Sequence, residues 1–401
     1  MTSIVVVGAG QAGATLVAKL RALGHSGPIT LIGDEPVPPY QRPPLSKAYL
    51  VGEMPAERLY LRPATFYADN DIRLVTGAQV RAIDPEARRV VLDGEAIPYD
   101  RLALTTGARA RALPAAIGGD LEDVYLMRSL ADADALMPEI RPGRRVVIVG
   151  GGYIGLEAAS VAATRGLAVT IVEAADRILQ RVACSETADW FRALHRENGV
   201  DIREGVEVTR LTGGRRVDGV ELGDGSRIDA DFVIVGIGVA PQTRLAQEAG
   251  LDIADGVTVD ARARSSVPGI WAAGDCASFP YRGGRLRLES VQNAIDQAEC
   301  AAADMVGSGY DYAPVPWFWS DQFATKLQIA GIGTGFDRIV SRRDGDGAAS
   351  HWYFAGDELL AVDAMNAPRA YMVGKRLLEA GRSPDEAALR DPATKLKTLL
   401  G

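Results

Sequence analysis

Thiols are scarce in this chain of 401 residues, and so are imidazoles. There are three cysteines, Cys184, Cys276 and Cys300, and three histidines, His25, His195 and His351. The cysteines are far apart, odd in number and form no C-x-x-C, which excludes a disulfide scaffold and a thiolate metal site. The histidines are equally scattered, so no metal is expected. No apolar run reaches the length of a membrane span. Positive charge is also short: 44 Lys and Arg against 52 Asp and Glu leave a net charge of −8. That balance argues against broad binding to nucleic acid or to an anionic membrane. The first apolar strand begins at Ile4, so no secretory leader is expected and the reading is cytoplasmic. The length leaves room for two or three domains, each with its own core.

Glycine is plentiful, with 44 residues, and its placement carries the argument. Ile4-Val5-Val6-Val7-Gly8-Ala9-Gly10-Gln11-Ala12-Gly13 reads as a buried parallel strand running into a G-x-G-x-x-G turn. A helix from Ala12 to Leu23 follows. Gly8 permits the tight turn, Gly10 lets backbone approach a pyrophosphate, and Gly13 lets helix and strand pack closely. The helix N-terminus then offers free N–H groups and a partial positive charge to the phosphates. One such turn is weak evidence, but the pattern returns. Val146-Val147-Ile148-Val149 leads into Gly150, Gly152 and Gly155, and an alanine-rich helix extends to Gly166. Each copy is followed by a second apolar strand ending in acid: Asp34 and Glu35 after the first, Glu173 after the second. A carboxylate there can accept from the ribose hydroxyls of an adenosine. The alternative for each acid is a solvated strand end.

The halves match further along. A hairpin from Arg88 to Tyr99 and the strand Leu102–Leu104, ending at Thr106-Gly107, correspond to Val206–Leu211, Val217–Leu222 and Phe232–Val235, ending at Gly236 and Gly238. The chain therefore reads as α/β, with two tandem Rossmann-like dinucleotide-binding units. Five prolines between Asp34 and Ala48 preclude a regular helix through most of that stretch. They hold Arg42 and Lys47 on a stiff frame just past a strand end, as cofactor contacts or as plain surface charge. Asp275, after the strand-like Gly269–Ala273, is placed to accept from a sugar or ribitol hydroxyl, or else to cap the next helix. From Pro314 a third, α+β region begins, with strands at 326–332, 338–341, 350–354 and 358–362 and a last helix at 369–380. It has no phosphate-binding turn and reads as a docking or dimerisation module. Trp317 and Trp319 are either core or, for Trp319, a reach back toward a cofactor.

Five stretches together carry a resemblance: Arg42-Pro43-Pro44-Leu45-Ser46-Lys47, Gly150 to Glu157, Gly269 to Ala277, Glu289-Ser290-Val291-Gln292-Asn293-Ala294, and Pro316 to Gln322. In these the chain resembles, over essentially its whole length, the FAD-dependent NADH:ferredoxin reductases of bacterial oxygenase systems, the putidaredoxin, rhodocoxin and palustrisredoxin reductase type. The resemblance implies a glutathione-reductase-like fold: an FAD domain at 1–112 and 241–313, an NADH domain at 113–240 and an interface domain at 314–401. It assigns FAD to the first glycine turn, with Ala12, Asp34, Glu35, Arg42, Lys47, Val80, Thr106, Arg128, Asp275 and Val291, and with Trp319 beside the ring. It assigns NADH to the second turn, with Ile154, Glu157, Glu173, Arg181, Gly236 and Glu289, and Tyr153 near the nicotinamide. Lys47 and Glu157 are expected to pair close to the reacting flavin atom.

Two departures narrow the chemistry. Disulfide reductases of this fold carry a cysteine pair after the first acidic strand, and peroxidase-like relatives a single cysteine. Here no cysteine occurs from Met1 through Arg181, which removes thiol chemistry from the flavin. No histidine lies in any cofactor motif, so no acid–base dyad is expected either. The implied reaction carries electrons from NADH through FAD to a 2Fe–2S ferredoxin, which feeds a cytochrome P450 or a Rieske oxygenase. Arg285, Arg287, Lys326, Arg338, Arg342 and Arg343 are the candidates for a basic docking patch. Glu173 favours NADH over NADPH, with Arg177 near enough to oppose it. The competing readings are an NADH-dependent flavin oxidase or peroxidase with a small-molecule acceptor, and a non-enzymatic redox sensor like the apoptosis-inducing-factor branch.

Overall fold

A computed structural model describes residues 1–345 and 347–400. The chain divides into two compact units: residues 1–42, 55–109 and 239–314 in the first, and 43–54, 110–238 and 315–401 in the second.

The first unit is built on a five-stranded parallel sheet. Its order is Ile270–Ala272, Arg101–Leu104, Ile4–Val7, Ile29–Ile32, Ile72–Val75. The central strands are apolar but for Thr30, with every residue buried, as a sheet covered on both faces requires. The helices Gln11–Ala22 and Val291–Met305 pack together on this sheet through Leu16, Val17, Leu20, Ala298, Ala301 and Ala302. A three-stranded antiparallel sheet, Ala82–Asp84, Arg89–Leu92 and Glu95–Pro98, packs its buried residues into a second cluster with Val5, Val7 and Leu104.

The second unit repeats that plan. Its parallel sheet runs Asp201–Glu204, Ala168–Glu173, Arg145–Val149, Phe232–Val235, Val124–Leu126. Val208–Gly213, Val217–Leu222 and Arg227–Asp229 form the accompanying antiparallel sheet. The α/β reading with two tandem dinucleotide-binding folds therefore holds. The strand Val124–Leu126 is not among those read from the sequence; three residues are too few to display a periodicity.

Residues 315–401 add a five-stranded antiparallel sheet in the order Trp317–Gln322, Thr325–Gly331, Glu358–Met365, Ala348–Ala355, Arg338–Asp344. The helix Pro368–Glu379 covers it, burying Ala370, Tyr371, Val373 and Leu377. The aromatic cluster at 317–319 is thus the start of a strand. The Pro43–Ser46 turn and residues up to 54 are held in this unit by Leu50 in its core, by Tyr49 donating to Asp134 at 2.5 Å and by Glu53 paired with Arg165.

Candidate functional site

The two glycine turns have the same steric design. A β-carbon on Gly8, at φ +115°, would lie 2.1 Å from the Thr105 carbonyl oxygen, and one on Gly13 would lie 2.0 Å from the Gly8 carbonyl oxygen. In the second turn Gly150, at φ +109°, would strike the Gly236 oxygen at 2.5 Å, and Gly155 the Gly150 oxygen at 2.2 Å. The outer glycines are therefore fixed by backbone approaching backbone. The middle glycines differ: a β-carbon on Gly10 or Gly152 would meet no atom of the described residues within 4 Å. Nothing in the fold itself requires glycine there. The bare backbone instead faces open space at the N-terminus of a helix, where a phosphate group fits. At both turns the middle glycine thus leaves backbone uncovered at a helix N-terminus, which suits the close approach of a phosphate.

Around the first turn, Arg42 donates to Glu35 at 2.6 Å and Tyr40 to the same carboxylate at 2.5 Å, while Asp34 is exposed. Thr106 donates to the Gln242 carbonyl at 2.7 Å, beside Gly107 at φ +67°. Asp275 follows Gly274, which at φ +82° rests against Ala12. The strand Ala277–Tyr281 comes next, not a helix, so capping is not the role of Asp275. Val291 opens the helix capped by Ser290. The Val80 side chain is buried in the core, so what it could offer a ligand is main chain. Glu289 belongs to this unit and pairs with Arg287 at 2.6 Å.

The second turn has a different acid. Glu173 accepts from the Gly151 N–H at 2.7 Å and the Ala175 N–H at 2.8 Å, which fixes its carboxylate against the turn. The Arg177 guanidinium is turned to the carbonyls of Ala183 and Cys184. Ile154 is exposed at the start of the helix, and the Arg181 guanidinium lies beside Gly238. Arg128 gives its backbone N–H to Asp132, the residue that completes the Ser129 capping box.

The same unit joins the proposed catalytic residues. Lys47 Nζ is 3.0 Å from Glu157 Oε1 and 3.8 Å from Asp321. Glu157 is buried, at 6% exposure, on the Tyr153–Thr164 helix. Ser46 donates to its Oε2 at 2.9 Å and Ser320 to its Oε1 at 2.8 Å. A carboxylate out of water needs such partners. Tyr153 stacks on Phe318 with centroids 4.9 Å apart; its hydroxyl is buried without a hydrogen-bond partner among the described residues, and burial pushes it well above the usual phenol range. Trp319 stacks on Trp317 at 5.7 Å. Sequence reasoning missed Ser46, Ser320 and Asp321. They stand within motifs that had been singled out, but a serine gives no sign of where its hydroxyl points.

All three thiols are buried, and burial raises each of them, Cys300 to about 12. Thiolate chemistry is closed to them. Of the docking candidates, Arg342 is corrected: it is 4% exposed and donates to Asp344 and to the carbonyls of Leu389, Asp391, Pro392 and Thr394. It ties the chain end to the sheet. Arg287 is paired with Asp255 and Glu289, Lys326 with Asp321, and Arg338 with Glu386. Arg285 and Arg343 are exposed. Among the described residues no helix is long and apolar enough to cross a membrane, and no cluster of metal-ligating side chains is found.

Comparison with known proteins agrees with this geometry. Residues 2–298 match the family described as pyridine nucleotide-disulphide oxidoreductase, and residues 317–400 match the reductase C-terminal family. Rhodocoxin reductase of Rhodococcus erythropolis is 45% identical, covering 98% of this chain and 94% of the relative. Putidaredoxin reductase CamA of Pseudomonas putida is 40% identical over 99% of this chain and 96% of its own. The crystal structure of the covalent putidaredoxin reductase–putidaredoxin complex matches with a TM-score of 0.96 at 39% identity, covering 100% of this chain and 98% of the other. With two glycine turns, no accessible thiol and near-complete coverage by such relatives, this chain belongs to the pyridine nucleotide-disulphide oxidoreductase family, among its ferredoxin reductases.

Proposed function

We propose that this protein is an oxidoreductase that takes electrons from NADH, passes them through bound FAD and delivers them to a 2Fe–2S ferredoxin of a cytochrome P450 or Rieske oxygenase system. One observation carries the reading: each unit has a helix-opening turn whose middle glycine faces open space, while every thiol is buried. When bound, FAD accepts a hydride from NADH and releases electrons singly, chemistry that asks the protein for alignment more than for acid–base groups. The division that goes with it is FAD binding by 1–112 and 241–313, NADH binding by 113–240 and a partner-facing domain at 314–401.

In this scheme Gly8, Gly10 and Gly13 seat the FAD pyrophosphate. Asp34 and Glu35, with Arg42 steadying the second, receive the adenosine, and Asp275 receives the ribitol. Gly150, Gly152 and Gly155 seat the NADH pyrophosphate, and Glu173 accepts from its ribose. Lys47, held by Glu157, would place a positive charge beside the flavin when FAD is bound. The ferredoxin is steered by exposed cations such as Arg285 and Arg343, and the protein works in the cytoplasm.

The test is anaerobic. Mixing the yellow protein with NADH should bleach it, and adding an oxidised 2Fe–2S ferredoxin should restore the colour with single-electron stoichiometry. Rapid reoxidation by oxygen or peroxide with no response to ferredoxin would favour the oxidase reading. A stable bleached complex inert to both would favour the sensor.

A further inference from the structure

Behind the buried ion pair runs a hydrogen-bonded chain that the reading above does not use. Ser320 gives its only proton to Glu157 Oε1 at 2.8 Å, so toward its other neighbour, Gln322 Nε2 at 3.1 Å, its oxygen must accept. Gln322 thus turns its amide nitrogen to Ser320 and its oxygen, 2.9 Å away, to His195 Nε2. That oxygen cannot donate, so His195 carries its proton on Nε2. Every donor in the series imidazole, amide, hydroxyl points toward the Glu157 carboxylate. Ser320, Gln322 and His195 all have zero solvent exposure, so whatever they do for a cofactor they do through Glu157.

We propose that Ser320, aligned by Gln322 and His195, is a positioning residue that holds the Glu157 carboxylate aimed at Lys47. The C-terminal region then contributes to flavin reduction and not only to partner docking. The inference rests on the proposed role of the Lys47–Glu157 pair. A buried carboxylate is held in one orientation by the donors that reach it. Glu157 has three, from Ser46, Lys47 and Ser320, and the Ser320 hydroxyl is the one whose direction is imposed from behind. The other charges in range are few. Asp321 and Lys326 pair with each other at 3.1 Å. The strands Arg145–Val149 and Ala168–Glu173, which pack on the same helix, bring Arg145, bonded to Asp229 and Asp231, and Glu173, bonded to backbone. His195, held neutral by burial, stands at the far end.

The experiment compares S320A, E157Q and the double variant as FAD-loaded full-length proteins. The rate of NADH bleaching is followed from pH 5 to 9, together with the flavin midpoint potential. S320A should slow bleaching about tenfold across the profile and shift the midpoint potential. Added to E157Q it should do almost nothing. If S320A does not retain flavin, Q322M, of similar volume, should give a smaller shift in the same direction. An S320A or Q322M profile that overlays the native one, or full additivity with E157Q, would overturn the proposal. If E157Q itself bleaches normally, the fault lies in the role given to the ion pair, a result that S320A alone cannot produce.

Discussion

The two parallel sheets are the same object assembled in two chain orders. In both, the strand leading into the glycine turn is central, with the exit strand on one side and the acidic strand on the other. The fifth strand occupies the same position in each, beyond the exit strand. In the first unit it is Ile270–Ala272, which comes after the exit strand in the chain; in the second it is Val124–Leu126, which comes before the central strand. A sheet position is filled by whichever apolar segment reaches it, because strand pairing is indifferent to chain order. The units differ more at their acids. Glu35 is paired to Arg42 and Tyr40, whereas Glu173 is clamped by two backbone N–H groups. One motif thus presents a shielded carboxylate in one unit and a full, fixed charge in the other.

Breaking the turns one at a time should separate the two halves of the reaction. In G13A or G155A a β-carbon meets a carbonyl oxygen at 2.0 or 2.2 Å, an overlap costing ~3 kcal/mol or more. G13A is expected to purify colourless. G155A should stay yellow but resist bleaching by NADH. A colourless G155A beside a yellow G13A would reverse the assignment of the turns.

Acid should distinguish the units next. His195 and His351 are held neutral by burial, each lowered from 6.5 to about 4. The unfolded chain protonates near 6.5, so the stability they leave intact above that pH is lost as the pH falls from 6.5 through 4. Each accounts for up to ~3 kcal/mol. Asp363 works the other way: burial raises it from 3.8 to about 6, so its contribution is fullest below 3.8 and is lost as the pH rises through 6. Two histidines outweigh one carboxylate, and all three lie in the second unit. Hydrogen exchange between pH 6.5 and 4 should show protection failing there first, and in an H195Q/H351Q double variant the difference should shrink. Simultaneous loss in both units would contradict this.

The acids supply a smaller effect. A 2′-phosphate about 4 Å from Glu173 would be opposed by up to ~4 kcal/mol at an effective dielectric near 20, less after screening. E173A should therefore relax the preference for NADH over NADPH about tenfold, ~1.4 kcal/mol. E35Q should leave that ratio alone and weaken FAD retention. Unchanged discrimination in E173A would take the role from that residue. Smallest is salt: if exposed cations steer an acidic ferredoxin, its reduction should slow several-fold as the screening length drops below about 10 Å, with NADH bleaching unaffected. A flat response would point to apolar docking.

Legibility followed periodicity. The central strands, the two turns and the helices behind them could be read because a continuous apolar run, a glycine spacing and an alanine-rich stretch are local patterns. The strands Val124–Leu126 and Trp317–Gln322 could not. The first is short, and the second mixes three aromatics with Ser320, Asp321 and Gln322, so it shows no alternation to read. Arg342 looked like any surface cation until its four carbonyl partners, 47 to 52 residues away along the chain, were seen.

The order of residues settled where the two glycine turns fall, since their spacing is a local pattern; that Gly8 meets Thr105 and Gly150 meets Gly236 was decided by the fold. That no thiol is accessible was decided by the fold, which buries all three cysteines, Cys276 against Leu104 of the first sheet. Which polar groups face one another was left to the folded chain. Ser46 and Glu157 are 111 residues apart, and Ser320 and Glu157 are 163. A buried charge is satisfied by whatever donors converge on it in space, and that convergence has no counterpart along the chain.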